Sequence, residues 1–170
     1  MFEIRIYGDP ILRKTAKQVT VFNEELKRFA AEMVETMREK DGVGLAATQV
    51  GKLIQLAVID ITAGEQEPIY LVNPVLTFSS QELVEQEEGC LSIPTIRLKV
   101  KRPGRVSVEA SDLQGKKITI KDAEDLLARA LQHEIDHLNG IMFVDHVSLL
   151  QRKLISSKLK KLAKPGGETK

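Results

Sequence analysis

The chain has 170 residues, with 25 lysines and arginines against 24 aspartates and glutamates and a formal net charge of +1. Hydrophobic residues make up 42% and charged residues 29%, which reads as a soluble globular chain able to bury one core rather than a disordered or membrane-spanning one. So even a balance gives no global pull on nucleic acid: no specific DNA partner is expected, and any basic partner surface has to be local.

The opening Met1-Phe2-Glu3-Ile4-Arg5 carries neither an apolar leader nor an Arg/Ser-rich amphipathic one, so a cytoplasmic protein without a membrane partner is expected. The single cysteine, Cys90, has no internal disulfide partner, which fits a reducing compartment and leaves its thiol free for metal or catalysis. Residues 2 to 7 alternate enough to predict a short strand, followed by a turn at Gly8-Asp9-Pro10 that leads into Ile11-Leu12-Arg13. Residues 23 to 40 predict a helix capped by Asn23, with Leu26, Phe29, Ala30, Met33 and Met37 on one face and Gly42 as its stop. The run Gly42-Val43-Gly44-Leu45-Ala46-Ala47-Thr48-Gln49-Val50-Gly51 is small-residue chain with one buried-looking amide, and its glycines permit close approach of another backbone. Its glycine spacing is neither a dinucleotide fingerprint nor a P-loop.

Residues 55 to 61 and 69 to 76 predict strands joined through Ala63-Gly64-Glu65, with Pro74 marking an end, a bulge or an edge. The acidic run Glu85-Gln86-Glu87-Glu88 then leads into Gly89-Cys90-Leu91-Ser92-Ile93-Pro94; such a run is ordinarily a solvated face, but this one abuts the cysteine. Strand-like segments follow near residues 96 to 100, 105 to 110 and 117 to 121, the last two turning at Asp112-Leu113-Gln114-Gly115. Strands first and a helix later, with no internal repeat, point to an α+β fold.

That helix is the centre of the reading. Asp122 is expected to cap it, Glu124 and Asp125 to occupy its first turn, and Gly140 to end it ahead of a strand-like stretch from 141 to 144. Leu127, Leu131, Ile135 and Leu138 make an apolar stripe; Leu126, Ala130, His133 and His137 make a second beside it. At 3.6 residues per turn, His133 and His137 sit about 40° apart, close enough to bite one metal ion. Glu134 lies about 60° from His137, within reach of a water held there, which is an arrangement for metal-assisted hydrolysis. A catalytic site of this kind takes three protein ligands. Cys90, His146, Asp136, Asp145 and the acidic run are all candidates for the third, Cys90 because a thiolate in a glycine-flanked turn suits a borderline metal, His146 and Asp136 more often being surface or salt-bridge residues.

At the end of the chain, Leu149, Leu150, Leu154, Ile155, Leu159 and Leu162 fit a helix made basic by Arg152, Lys153, Lys158, Lys160, Lys161 and Lys164. Its apolar stripe either packs on the body with the lysines in water, or the helix docks electrostatically on RNA or another acidic surface. Residues 1–147 are expected as one catalytic domain, 148–164 as this attached helix, and 165–170 as a flexible tail closed off by Pro165-Gly166-Gly167.

Three stretches stand together: Gly42-Val43-Gly44-Leu45-Ala46-Ala47-Thr48-Gln49, Glu88-Gly89-Cys90-Leu91-Ser92 and Gln132-His133-Glu134-Ile135-Asp136-His137. In this order, with the early Asp9-Pro10-Ile11-Leu12-Arg13, the chain closely resembles the peptide deformylase family over nearly its whole length. The resemblance implies antiparallel β-sheets packed around a central metal-binding helix, with an N-terminal and a C-terminal helix. It implies Cys90, His133 and His137 as the ligands of one divalent metal, ferrous iron in cells, with nickel, cobalt or zinc also accepted. It implies Glu134 as the general acid/base, with the Gln49 side-chain amide and the Leu91 backbone N–H donating to the oxyanion. Val43, Gly44 and Gly89 are implied to pair with the peptide backbone, and Leu126, Arg129 and Ala130 to shape the methionine pocket. The implied substrates are formylated nascent peptides, released as formate and a free N-terminal methionine, and the implied partner of the basic helix is the ribosome surface. Competing readings are a zinc endopeptidase with an acidic third ligand, an amidase using Cys90 as nucleophile, and a non-catalytic ribosome-binding module with a structural zinc.

Overall fold

The computed structural model describes residues 1–164; the expected tail, 165 to 170, lies outside the described residues. Three α-helices and seven strands are found among them, all strand pairings antiparallel, so the expected α+β architecture holds. Helix α1, Glu24–Glu39, begins where Asn23 accepts a hydrogen bond from the Leu26 N–H at 3.0 Å. It ends at Glu39 with Lys40 as its cap, ahead of the expected stop, and Asp41 turns the chain with a φ of 53°. Strands β1 (Gly44–Ala46), β2 (Leu56–Ile59) and β3 (Ile69–Ser79) follow, then β4 (Leu83–Cys90), β5 (Ile93–Pro103), β6 (Arg105–Ser111) and β7 (Lys117–Glu124). Helix α2 spans Asp125–Leu138 and α3 spans Leu149–Leu162. No helix among the described residues is long and apolar enough to cross a membrane.

The strands form a five-stranded sheet in the order β1-β2-β3-β6-β7 and a separate β4–β5 hairpin. Every residue of β2 is buried, because both faces of the sheet are covered there. Ala57 and Ile59 point to one face and pack with Ala46, Leu71 and Val106 against Leu131, Ile135 and Leu138 of α2. Leu56 and Val58 point to the other and pack with Leu45 and Val72 against Leu26, Ala30, Met33 and Met37 of α1. Each such Leu or Ile stabilises the fold by roughly 2 kcal/mol. The hairpin buries Ile93, Ile96 and Val100 in a third cluster with Leu12, Phe143, Ile155 and Leu159.

Several local expectations change. Residues 2 to 7 form no strand: the Arg5 N–H donates to the Gln49 carbonyl (2.7 Å) and the Tyr7 N–H to the Ser92 carbonyl (2.8 Å), so this segment strings two bodies together instead of laddering along one. Of the alternatives at Pro74 it is the bulge that the strand adopts, and Asn73 beside it exchanges two hydrogen bonds with the Val19 backbone. Asp122 does not cap α2; it lies inside β7, its N–H taken by the Ser107 hydroxyl, and Glu124 holds the cap position without a side-chain bond. The strand-like residues 141 to 144 turn instead into a 3-10 helix, Phe143–Asp145, because the Asp145 carboxylate accepts from the Met142 N–H at 2.9 Å. On α3 only Ile155 and Leu159 are buried, while Leu149, Leu150 and Leu154 stand in solvent.

Candidate metal centre

Helix α2 runs between the sheet and the hairpin, with ten of its fourteen residues buried. Its apolar stripe faces the sheet as expected, which turns the second stripe, with His133 and His137, toward the hairpin. Cys90, the last residue of β4, arrives from the opposite side. Its Sγ lies 3.2 Å from His137 Nε2, and His137 Nε2 lies 3.1 Å from His133 Nε2. Among the described residues these three form the group of donors close enough to share one ion.

His133 Nδ1 is 3.1 Å from Glu88 Oε2, and an ionised carboxylate only accepts, so Nδ1 carries a proton. Burial works against a charge on His133, but hydrogen bonds with Cys90 and Glu88 outweigh it and raise the imidazole well above its usual value, so a metal ion would take the place of a second proton at Nε2. Burial opposes a charge on Glu88, but hydrogen bonds with His133 and Arg102 outweigh it and hold the carboxyl well below the usual carboxylate range. Burial, and then the neighbouring His133, push His137 well below the usual histidine value, which keeps it neutral. Phe143, fully buried, stacks on the His133 ring at 6.2 Å. A soft thiol sulfur and two imidazole nitrogens converging on one point fit a divalent transition metal.

Glu134 stands beside these donors. Its carboxyl is buried, Oε2 has no hydrogen-bond partner, and burial pushes its pKa up to about 7. Gly44 makes room for it: a Cβ at that position would collide with Glu134 Oε1. Gln49 is held by the Ala46 N–H donating to its Oε1 at 2.9 Å, so its Nε2 faces Cys90 Sγ (3.4 Å) and the Ser92 hydroxyl (3.1 Å). An open cleft of about 880 Å³ leads in, bordered by Val43, Gly44, Gly89, Leu91, Leu126 and Ala130. Gly44 lies at the free edge of the five-stranded sheet, since β1 is its terminal strand, and Val43 directly precedes it.

Arg129 also borders the cleft, but not as a free charge. Its guanidinium is spent on Glu88, Gln86 and the carbonyls of Val84 and Val100, so only its stem is left for a pocket wall. Of the other candidate ligands, Asp145 pairs with Arg13 and Arg152, and Asp136 pairs with Arg102 and His146, all outside the donor cluster. Sequence reasoning missed Arg102, and it offered the acidic run holding Glu88 as a candidate metal ligand, whereas Glu88 bonds His133 Nδ1 behind the donors. On a strand such a run must alternate faces: Glu85 and Glu87 are exposed while Glu88 is buried.

Known proteins resemble this chain throughout. Residues 1–153 match the family described as Polypeptide deformylase. A peptide deformylase of Brucella suis biovar 1 is 46% identical over 160 residues, covering 93% of this chain and 91% of that protein. One from Acinetobacter baumannii is 44% identical over 164 residues, covering 96% and 93%. Among solved structures, a peptide deformylase from Legionella pneumophila superposes with a TM-score of 0.89 at 45% identity, covering 95% of this chain and 94% of that one. Peptide deformylase 1B of Arabidopsis thaliana, in complex with an inhibitor, gives 0.91 at 40% identity, with 95% and 90% covered.

Proposed function

The chain belongs to the peptide deformylase family, and from that premise we propose that it removes the formyl group from formylmethionyl nascent peptides by metal-assisted hydrolysis, giving formate and a free N-terminal methionine. The observation that carries this reading is the meeting of Cys90, His133 and His137 with a buried, unpartnered Glu134 carboxyl at the end of one cleft.

Cys90 Sγ, His133 Nε2 and His137 Nε2 would hold the metal. When bound, a divalent ion there supplies Lewis acidity, which acidifies water and polarises a formyl oxygen. Glu134 takes the proton of the attacking water and returns it to the leaving amine nitrogen; a carboxyl pushed up to about 7 exchanges protons readily near neutral pH. Charge developing on the formyl oxygen is met by the Gln49 Nε2–H and the Leu91 backbone N–H, and fixed donors of this kind typically contribute about 3 kcal/mol each. The Ala46 bond to Gln49 Oε1 supports that role by keeping the amide from flipping.

The peptide adds to the free edge of β1 as a further strand, pairing with Val43 and Gly44 on one side and Gly89 on the other. Leu126, Ala130 and the stem of Arg129 receive the methionine side chain. Ferrous iron is the ion we assign in cells, with nickel, cobalt and zinc as substitutes that a Cys-His-His set accepts. Residues 1–147 carry the chemistry in the cytoplasm, and α3, fastened by Ile155 and Leu159, turns exposed Lys153, Lys158, Lys160 and Lys161 toward the ribosome's anionic surface. The endopeptidase reading finds no support, because the third donor in the cluster is a thiol and not a carboxylate.

The test is formate release from a formylmethionyl tripeptide by anaerobically purified, metal-counted protein, with and without chelator. Release that the chelator abolishes is expected. No release from fully metallated protein overturns the proposal. For the ribosome contact, deleting the chain after Leu150 is expected to weaken salt-sensitive ribosome binding; unchanged binding overturns it.

A further inference from the structure

The three donors ride on two bodies. Cys90 closes a hairpin that shares no strand pairing with the five-stranded sheet, whereas His133 and His137 belong to α2, which packs on that sheet. The hairpin's apolar face packs on Phe143, Val144 and α3, and no residue of α2 belongs to that cluster. Between hairpin and α2 the contacts are polar. Arg102, on β5, donates from Nε and Nη2 to the two oxygens of Glu88 on β4 (2.6 and 3.1 Å) and from Nη1 to Asp136 on α2 (2.8 Å). Arg129, on α2, reaches the other way, from Nη1 to Glu88 (2.7 Å) and from Nη2 to the Val84 carbonyl (2.7 Å). Asp136 Oδ2 also accepts from His146 Nε2 at 2.7 Å, which ties this network to the surface.

Two arginines and two carboxylates balance in charge within this network. Burying such a cluster gives no reliable gain over apolar packing, so stability alone is a poor account of it. Its anchors lie beside the donors on both bodies. Glu88 is two residues before Cys90 and also bonds His133, and Asp136 is the neighbour of His137.

We propose that Arg102 is a positioning residue for the metal centre: its planar fork locks the hairpin bearing Cys90 to the helix bearing the histidines, and through Glu88 it keeps His133 Nε2 turned toward the other two donors. The inference rests on the assignment of Cys90, His133 and His137 as the ligand set. An ammonium cannot replace the fork, because a single point charge cannot span both oxygens of Glu88 and Asp136 together.

The test compares Arg102→Lys and Asp136→Asn with the parent chain, each checked for cooperative unfolding without metal. Cobalt(II) affinity is measured by competition with a chelator, and the thiolate-to-cobalt charge-transfer band is recorded. Arg102→Lys is expected to weaken cobalt binding about 10- to 100-fold and to shift the band. Asp136→Asn, which keeps the Glu88 half of the fork, is expected to move both in the same direction by less. A folded Arg102→Lys that binds cobalt within twofold of the parent with an unchanged band overturns the inference. Should Arg102→Lys not fold, an Asp136→Asn protein unchanged in both readouts overturns it equally. A parent chain that binds no cobalt sinks the ligand assignment itself, which separates that failure from this one.

Discussion

The two walls of the cleft are built differently. The wall carrying Gly44 and Gln49 is the rim of a sheet in which Leu45, Ala46, Ala47 and Leu56 have no exposed surface, so it is set by how apolar volumes fill space. The wall carrying Glu88 and Cys90 meets α2 through Arg102 and Arg129, so it is set by hydrogen bonds with fixed directions. Packing fixes a shape and tolerates small rotations; forked ion pairs fix angles. The chain uses the first along the edge proposed to pair with a peptide and the second where a sulfur has to be aimed.

Changes on the sheet side test this difference first. Gln49→Leu keeps the volume and removes the proposed oxyanion donor, so kcat for formate release is expected to fall about 10²- to 10³-fold with metal content unchanged. A loss of metal instead would mean that the two walls are not independent. Leu131→Ala opens a cavity between sheet and helix and is expected to cost about 3 kcal/mol in denaturant unfolding, while the folded fraction still turns over. Loss of turnover in that folded fraction would show that packing also aims the catalytic groups.

A milder effect concerns Asp60, just past β2, whose N–H donates to the Val43 carbonyl of the same wall. Burial works against its charge, but Arg38 and Thr62 outweigh burial and hold the carboxyl down at about 2. Its folded value lies below the unfolded one of about 4, so its contribution to stability is complete above that pH and lost as pH falls toward 2. The Tm advantage of the parent over Asp60→Asn is therefore expected to be constant above about pH 5 and to shrink on acidification. The smallest effect is expected for Leu154→Glu, at an exposed position of α3: stability should stay within about 0.5 kcal/mol, measured by denaturant unfolding.

Much of the site could be read from the sequence, for reasons the two walls make plain. Helix α2 announced itself because its period places an apolar stripe and a histidine stripe side by side, and both faces are used. The small residues around Gly44 were legible as room for something, and that something is the Glu134 carboxyl. The hairpin side was less legible because a buried ion network has no local pattern: Glu88, Arg102, Arg129 and Asp136 are far apart in the chain and each alone looks like a surface charge. The caps and turns that differ, at Asp122 and residues 141 to 144, were decided by the Ser107 hydroxyl and the Asp145 carboxylate, side-chain choices that periodicity does not reveal.

The central claim is that Glu134 moves the proton while the Cys90, His133 and His137 atoms hold the metal, and Glu134→Gln addresses it most directly. The variant should carry the same metal per chain as the parent and release formate about 10²- to 10⁴-fold more slowly. Turnover within tenfold of the parent, from a variant fully loaded with metal, would contradict the account.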